Sequence, residues 1–189
     1  MCFSDVMTIL ITIYSKEFAM DRRDFLKTSV ASSIALSSPL FAAEKKPSNV
    51  QYQLRGTDVY GKPLDLKEYL GRTVLVSFFT FDCNVCSHDL KLMRDFYLRN
   101  VKKKFVLLGV NIDQNKKDLD EYNDATTLAY PKDQRFPTVW RFAPGHQDNF
   151  GPLSSTPTHF VLNPKHQLMF KRDGAFLPDD WDNLWLSLP

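Results

Sequence analysis

Two cysteines, Cys83 and Cys86, stand where an unbroken apolar run gives way to an amphipathic segment, and this junction constrains the chain more than any other feature. The run at 73–79 reads TVLVSFF, a continuous, mainly apolar and β-branched stretch of the kind that suits a strand buried on both faces. Between 84 and 97, apolar Val85, Leu90, Met93, Phe96 and Tyr97 recur at helical spacing. A helix is therefore expected to begin inside the motif, with those five side chains turned inward.

The flanking segments fit one α/β domain. Residues 50–54 and Val59-Tyr60, on either side of Gly56 and running into Gly61-Lys62-Pro63, predict a hairpin. A short helical turn follows at 65–70, closed by Gly71. A second buried strand is predicted at 105–112 and a helix at 118–128, with the two buried strands side by side and parallel under the right-handed crossover rule. Residues 158–162 and 168–171 predict a hairpin around Asn163-Pro164-Lys165. The last helix, about 179–188, should turn Trp181, Leu184, Trp185 and Leu188 inward. Trp140, Phe142 and Phe150 are expected in the core rather than lining a partner groove. The fold class is α/β, a central mixed sheet flanked by helices with an N-terminal β-hairpin in front.

Charge excludes one class of partner. The 24 basic and 22 acidic residues of the 189 leave a net charge of +2, so no nucleic-acid footprint is expected. The three cysteines are too few and too unevenly placed for a disulfide scaffold.

The first 43 residues read as an address. Asp21-Arg22-Arg23-Asp24-Phe25-Leu26-Lys27 precedes an uncharged stretch of small and apolar residues that ends at Ala43. This resembles a twin-arginine export signal, and the stretch is shorter than the ~20 residues a membrane-spanning helix needs. The domains are accordingly an upstream extension at 1–19, a signal peptide at 20–43 and a folded domain at 44–189. Translation is expected to start at Met20, which would remove Cys2. The location is then the periplasm, with a membrane tether only where the signal is retained.

At a helix start, Cys83 meets free N–H groups and the positive end of the helix dipole, both of which stabilise a thiolate. Motifs of this kind lower a thiol pKa from ~8.5 into the range ~3.5 to ~7.5. Cys86, one turn on, is placed to attack a mixed disulfide formed on Cys83. Thiol–disulfide exchange is one reading; a zinc half-site and a pair of inert core thiols are the others. Zinc would need two further ligands, and His146, His159 and His166 are scattered along the chain. Asp89, three residues past Cys86, is either a proton acceptor for the resolving thiol or a solvated first-turn acid that suits the helix dipole. Pro157, read locally, is the first residue of an edge strand. No nucleotide, haem or flavin motif is present, and no cofactor or metal is expected.

Tyr60-Gly61-Lys62-Pro63-Leu64-Asp65-Leu66, the run from Gly71 to Phe79, the C-x-x-C and Thr156-Pro157-Thr158 together resemble the TlpA/ResA-type thioredoxin-like proteins. The resemblance covers nearly everything after residue 50. It implies a protein-disulfide reductase whose redox disulfide joins Cys83 and Cys86. It also implies a cis bond at Pro157, with Thr156, Pro157 and Thr158 holding an extended substrate. By the same analogy the partners are protein disulfides and a membrane dithiol donor, in cytochrome c biogenesis or copper-site assembly. The chain departs from that family at Asp82 in place of Trp, Lys91 in place of Pro, and Ser77 where thioredoxin carries a buried acid. Asp82 beside Cys83 opposes thiolate formation.

Two further resemblances are local. Phe79-Thr80-Phe81-Asp82-Cys83-Asn84-Val85-Cys86 is similar to the F-T-x-C-x-x-x-C of Sco-type copper chaperones, although only the second cysteine aligns. Thiolates suit Cu(I), so copper handling is the alternative function. Thr80, three residues before Cys83, partly matches the peroxiredoxin pattern P-x-x-x-T-x-x-C, with Val76 at the proline position.

Overall fold

The computed structural model describes residues 50–100 and 102–189. The expected extension, signal peptide, Met20 start and Cys2 lie outside these residues.

The apolar run forms β3 (Thr73–Phe79), buried at all seven positions. Its alternation sends Val74, Val76 and Phe78 into one core cluster and Leu75 and Phe79 into the other. β4 (Phe105–Asn111) is equally buried and lies parallel to β3, from Thr73 opposite Phe105 to Phe79 opposite Asn111. Each fully buried Leu, Val or Phe here contributes roughly 1.5–3 kcal/mol relative to exposure. The helix between these strands, α1, spans Asn84–Asn100, and α2 (Lys116–Ala129) leads from β4 to β5 (Thr138–Trp140), which is parallel to β4. β7 (Thr158–Leu162) runs antiparallel to β3, and β8 (Leu168–Asp173) antiparallel to β7. The main sheet therefore has the order β5-β4-β3-β7-β8. Both crossovers step the same way along it, so the right-handed rule puts α1 and α2 on one face. The last helix, α3 (Pro178–Leu186), adds Leu184 and Trp181 to the core cluster on that face.

The expected hairpin is real but displaced. β1 (Leu54–Thr57) pairs with β2 (Pro63–Asp65), so Gly56 lies within a strand while Val59 and Tyr60 belong to the turn. Asp58 Oδ1 sets that turn by accepting from the N–H groups of Tyr60 and Lys62 at 2.9 and 2.8 Å. The 3₁₀ turn Leu66–Tyr69 follows, with Asp65 accepting from Lys67 N–H, and Gly71 has φ +82°. Sequence reading missed both β5 and β6 (Gln147–Asp148), which are too short to show a period. β6 completes a small sheet β2-β1-β6, so the extension is three-stranded rather than a bare hairpin. Leu54, Leu64, Leu66 and Phe150 pack into the cluster of Val74, Val76 and Phe78.

Five residues differ from expectation. Val85 is 46% exposed, because it falls on the flank of the α1 stripe that buries Cys86, Asp89, Leu90 and Met93. Trp185 is 51% exposed: Leu184 and Trp181 take the inward face of α3, and Lys103 Nζ covers the Trp185 ring at 3.6 Å. Phe142 is exposed and Trp140 only half-buried, leaving Phe150 as the core aromatic of that trio. Pro157 does not open an edge strand, since β7 lies between β3 and β8.

Two carboxylates fasten the periphery. Asp148 takes a bidentate pair from Arg141, both bonds 2.9 Å, and lies 2.9 Å from His146 Nε2. Asp180 takes a bidentate pair from Arg172, at 2.7 and 2.9 Å, plus Leu177 N–H at 2.8 Å. Burial raises both carboxyl pKa values, but the hydrogen bonds and guanidinium charges outweigh it, so both sit below the usual carboxylate range. A folded-state pKa below the unfolded one stabilises above the unfolded value and is lost as pH falls through the folded one. Urea midpoints should therefore hold steady from neutrality to about pH 4 and then fall. In Asp148→Asn and Asp180→Asn variants the neutral-pH midpoint drops and the acid slope flattens.

Candidate active site

β3 delivers the motif to the carboxyl end of the sheet, and a buried acid fixes the approach. Asp113, just beyond β4, accepts from Phe81 N–H at 2.8 Å and from the Asn111 amide. Ile112 N–H also donates to Phe79 O, so the chain is held on both sides as it leaves the strand. Sequence reading did not single out Asp113; its signal was an acid at the end of a buried strand. Next, α1 starts at Asn84, which leaves Cys83 at the helix entrance. The first helical N–H groups are aimed accordingly: Cys86 N–H donates to Cys83 Sγ at 3.1 Å, and Ser87 N–H to Cys83 O at 3.0 Å. Cys83 and Cys86 are joined as a disulfide. Cys83 is half-buried, whereas Cys86 is 1% exposed, so only the first sulfur is open to a large partner.

One turn further along α1, Asp89 is 2% exposed. This overturns the reading of a solvated first-turn acid, because Asp89 belongs to the inward stripe. Its Oδ2 accepts from Phe176 N–H at 2.9 Å and lies 3.3 Å from His159 Nε2. His159 is fully enclosed, edge-on to the Phe176 ring. In the sheet it stands opposite Ser77, on the face that otherwise carries Leu75, Phe79 and Val161. Ser77 Oγ and His159 Nδ1 have no hydrogen-bond partner among the described residues. The polar group deep under this face thus comes from β7 and α1 rather than from β3. His159 was legible only as a histidine in a strand; its pairing with Asp89 depends on the sheet order. The three histidines do not converge, since His146 binds Asp148 and His166 sits in the β7–β8 turn. Among the described residues no cluster of three or more His, Cys, Asp or Glu is placed to hold a metal.

The Thr156–Pro157 bond is cis. Thr158 opens β7 opposite Phe78, so Pro157 lies beside the end of the strand that leads to the cysteines. Gly174 N–H donates to Pro157 O at 2.8 Å, and Thr158 Oγ1 donates to Ser155 O at 2.7 Å. These bonds hold the loop from below, while exposed Thr156 keeps its own N–H and C=O out of backbone bonding among the described residues.

A mixed sheet of this order, a cysteine pair at the first helix entrance and a cis-proline before the antiparallel strand define a thioredoxin-like fold. Residues 46–171 match the AhpC/TSA family, and the chain belongs to that family. Among solved structures, the fold is similar to a thiol:disulfide interchange protein of the thioredoxin family from Chlorobium tepidum, at 17% identity and TM-score 0.60 over 78% of this chain and 100% of that one. It is also similar to a DsbF homologue from Corynebacterium diphtheriae, at 18% identity and TM-score 0.57 over 84% and 98%. StoA from Bacillus subtilis matches at 20% identity and TM-score 0.53 over 71% and 96%. No curated protein matches the chain. Among the described residues no helix is long and apolar enough to cross a membrane.

Proposed function

We propose that this protein is an exported thiol–disulfide oxidoreductase that reduces protein disulfides through Cys83 and Cys86. The observation that carries the reading is the Cys86 N–H aimed at the sulfur of the more accessible cysteine. A donor fixed there favours the anionic form of that sulfur once the pair is reduced. In the proposed cycle the Cys83 thiolate attacks a substrate disulfide, forming a mixed disulfide and expelling one substrate thiolate, which takes up a proton. Cys86 gives its proton to Asp89 and attacks Cys83, which re-forms the Cys83–Cys86 disulfide and releases the second substrate thiolate. Two electrons pass to the substrate, and the protein leaves the cycle oxidised. A dithiol donor, by analogy membrane-borne, restores the reduced pair.

Thr156, Pro157 and Thr158 hold the substrate as an added extended strand in this scheme. The support is the exposed Thr156 backbone beside the end of β3. Asp89 is assigned the proton because it is buried on the Cys86 side of α1, where residues three apart have Cβ atoms roughly 5–6 Å from each other. Asp89→Asn should slow resolution of the mixed disulfide by about 10²-fold, with capture by Cys83 less affected. Quenched-flow measurement of the mixed-disulfide lifetime checks this.

The test of the function itself is reduction of insulin disulfides by the dithiol form, together with equilibration in glutathione buffers to obtain the potential. Absence of insulin reduction, with stoichiometric tight binding of Cu(I) by the dithiol form, would select the copper-handling alternative. Peroxide consumption by Cys86→Ser would select the peroxidase pattern that Thr80 partly matches. Export is checked by the location of the full-length chain against one carrying Lys-Lys in place of Arg22-Arg23.

A further inference from the structure

Between α1 and α2, next to residues that flank the two cysteines in sequence, a cavity of about 190 Å³ opens. Thr80 and Phe81, just before Cys83, and Ser87, just after Cys86, form its near wall. Its far wall holds Tyr122, Thr126 and Arg94. Arg94 is the unusual member. It is 4% exposed, its Nε is buried without an acceptor, and it makes no hydrogen bond or ion pair with any described residue. No carboxylate lines the cavity.

A guanidinium taken out of water needs compensation. The Tyr130 ring, 3.6 Å from Cζ, and the more distant Phe136 ring, at 5.1 Å, supply part of it through their π faces. They leave the Nε–H donor unmatched, and a guanidinium's in-plane donors suit a planar two-oxygen acceptor. Hydroxyls of Thr80, Ser87 and Thr126 around the same space add neutral donors. The volume is well above the ~10–15 Å³ that a single water needs, enough for a carboxylate on a short stem and too small for a folded element.

We propose that this cavity is a carboxylate subsite, in which Arg94 receives an acidic group carried by the molecule whose disulfide reacts at Cys83. The site sits outside the carboxyl end of β3, where open α/β sheets place their ligands. Its substrate role rests on the exchange reading of Cys83 and Cys86; its affinity for a carboxylate does not.

The test uses the full chain in two arms. In the first, glutarate is titrated and backbone amide shifts are followed by NMR. Saturable shifts at Ser87, Thr126 and Tyr130 are expected, with binding weakened about tenfold or more in Arg94→Gln and less in Arg94→Lys. Should Arg94→Gln lose its dispersed spectrum, Thr126→Val carries the same comparison. Absent shifts, or equal binding by the folded variants, overturn the subsite. In the second arm, rates are compared for two peptide disulfides differing only as Glu against Gln beside the cysteine, and for glutathione disulfide against its ethyl ester. Preference for the charged member of a pair, reduced by Arg94→Gln, supports the proposal and identifies peptide or small molecule as the source. Turnover without charge preference overturns it. No turnover of any disulfide, with glutarate still bound through Arg94, refutes the exchange reading and with it the substrate role.

Discussion

Cys83→Ser will abolish disulfide reduction, by on the order of 10³-fold or more, while Cys86→Ser will halt the same reaction halfway and accumulate a covalent adduct with the substrate. The asymmetry follows from the burial of the two sulfurs. Cys83, half-buried at the helix entrance, is the one a polypeptide can reach, and it holds the Cys86 N–H. Cys86, nearly enclosed, reaches only its neighbour. Non-reducing gels and intact mass of each variant after incubation with a disulfide substrate distinguish the two. Adduct from Cys83→Ser with none from Cys86→Ser would reverse the assignment of attacker and resolver. Adduct from neither would leave the fold without the proposed chemistry. The same Cys86→Ser trap, applied in cells, identifies the partner.

Phe78→Ala should cost about 3–5 kcal/mol, a large share of the ~5–15 kcal/mol that holds a domain folded. Phe78 has no exposed surface and meets Phe150 and Phe160 edge-on, with centroids 5.2 and 5.6 Å apart. Arg141, which grips Asp148 of the small sheet, has its Cζ 5.1 Å from the same ring. Truncation therefore opens a cavity where β3 and β7 of the main sheet meet the residues that join the small one. Thermal and urea unfolding check this, with the expected fall in midpoint accompanied by weaker protection of amides in β1 and β6. A loss below about 1 kcal/mol would mean that the aromatic cluster closes over the gap.

The motif and its setting were legible because they are local. A continuous buried strand, a glycine-closed turn and a helix starting at a cysteine each rest on neighbours a few residues away, and all three stand where they were expected. The cis bond at Pro157 also agrees, although it followed from family resemblance and not from spacing. Strands of two and three residues were invisible, since so short a segment shows no period. Inward and outward assignments failed for Val85 and Trp185, where a helix offers more apolar side chains than its buried stripe can take.

Residue order by itself determined that a cysteine pair would sit at a strand-to-helix junction, because period, helix entrance and sulfur spacing are properties of adjacent residues. Tertiary structure alone decided what lies behind and beside that pair. Asp89 meets His159 seventy positions away because β7 inserts next to β3, and Arg94 is enclosed because α2, Tyr130 and Phe136 pack over it. Burial is the physical reason: a side chain's solvent and partners are set by elements distant in sequence, which no local pattern encodes.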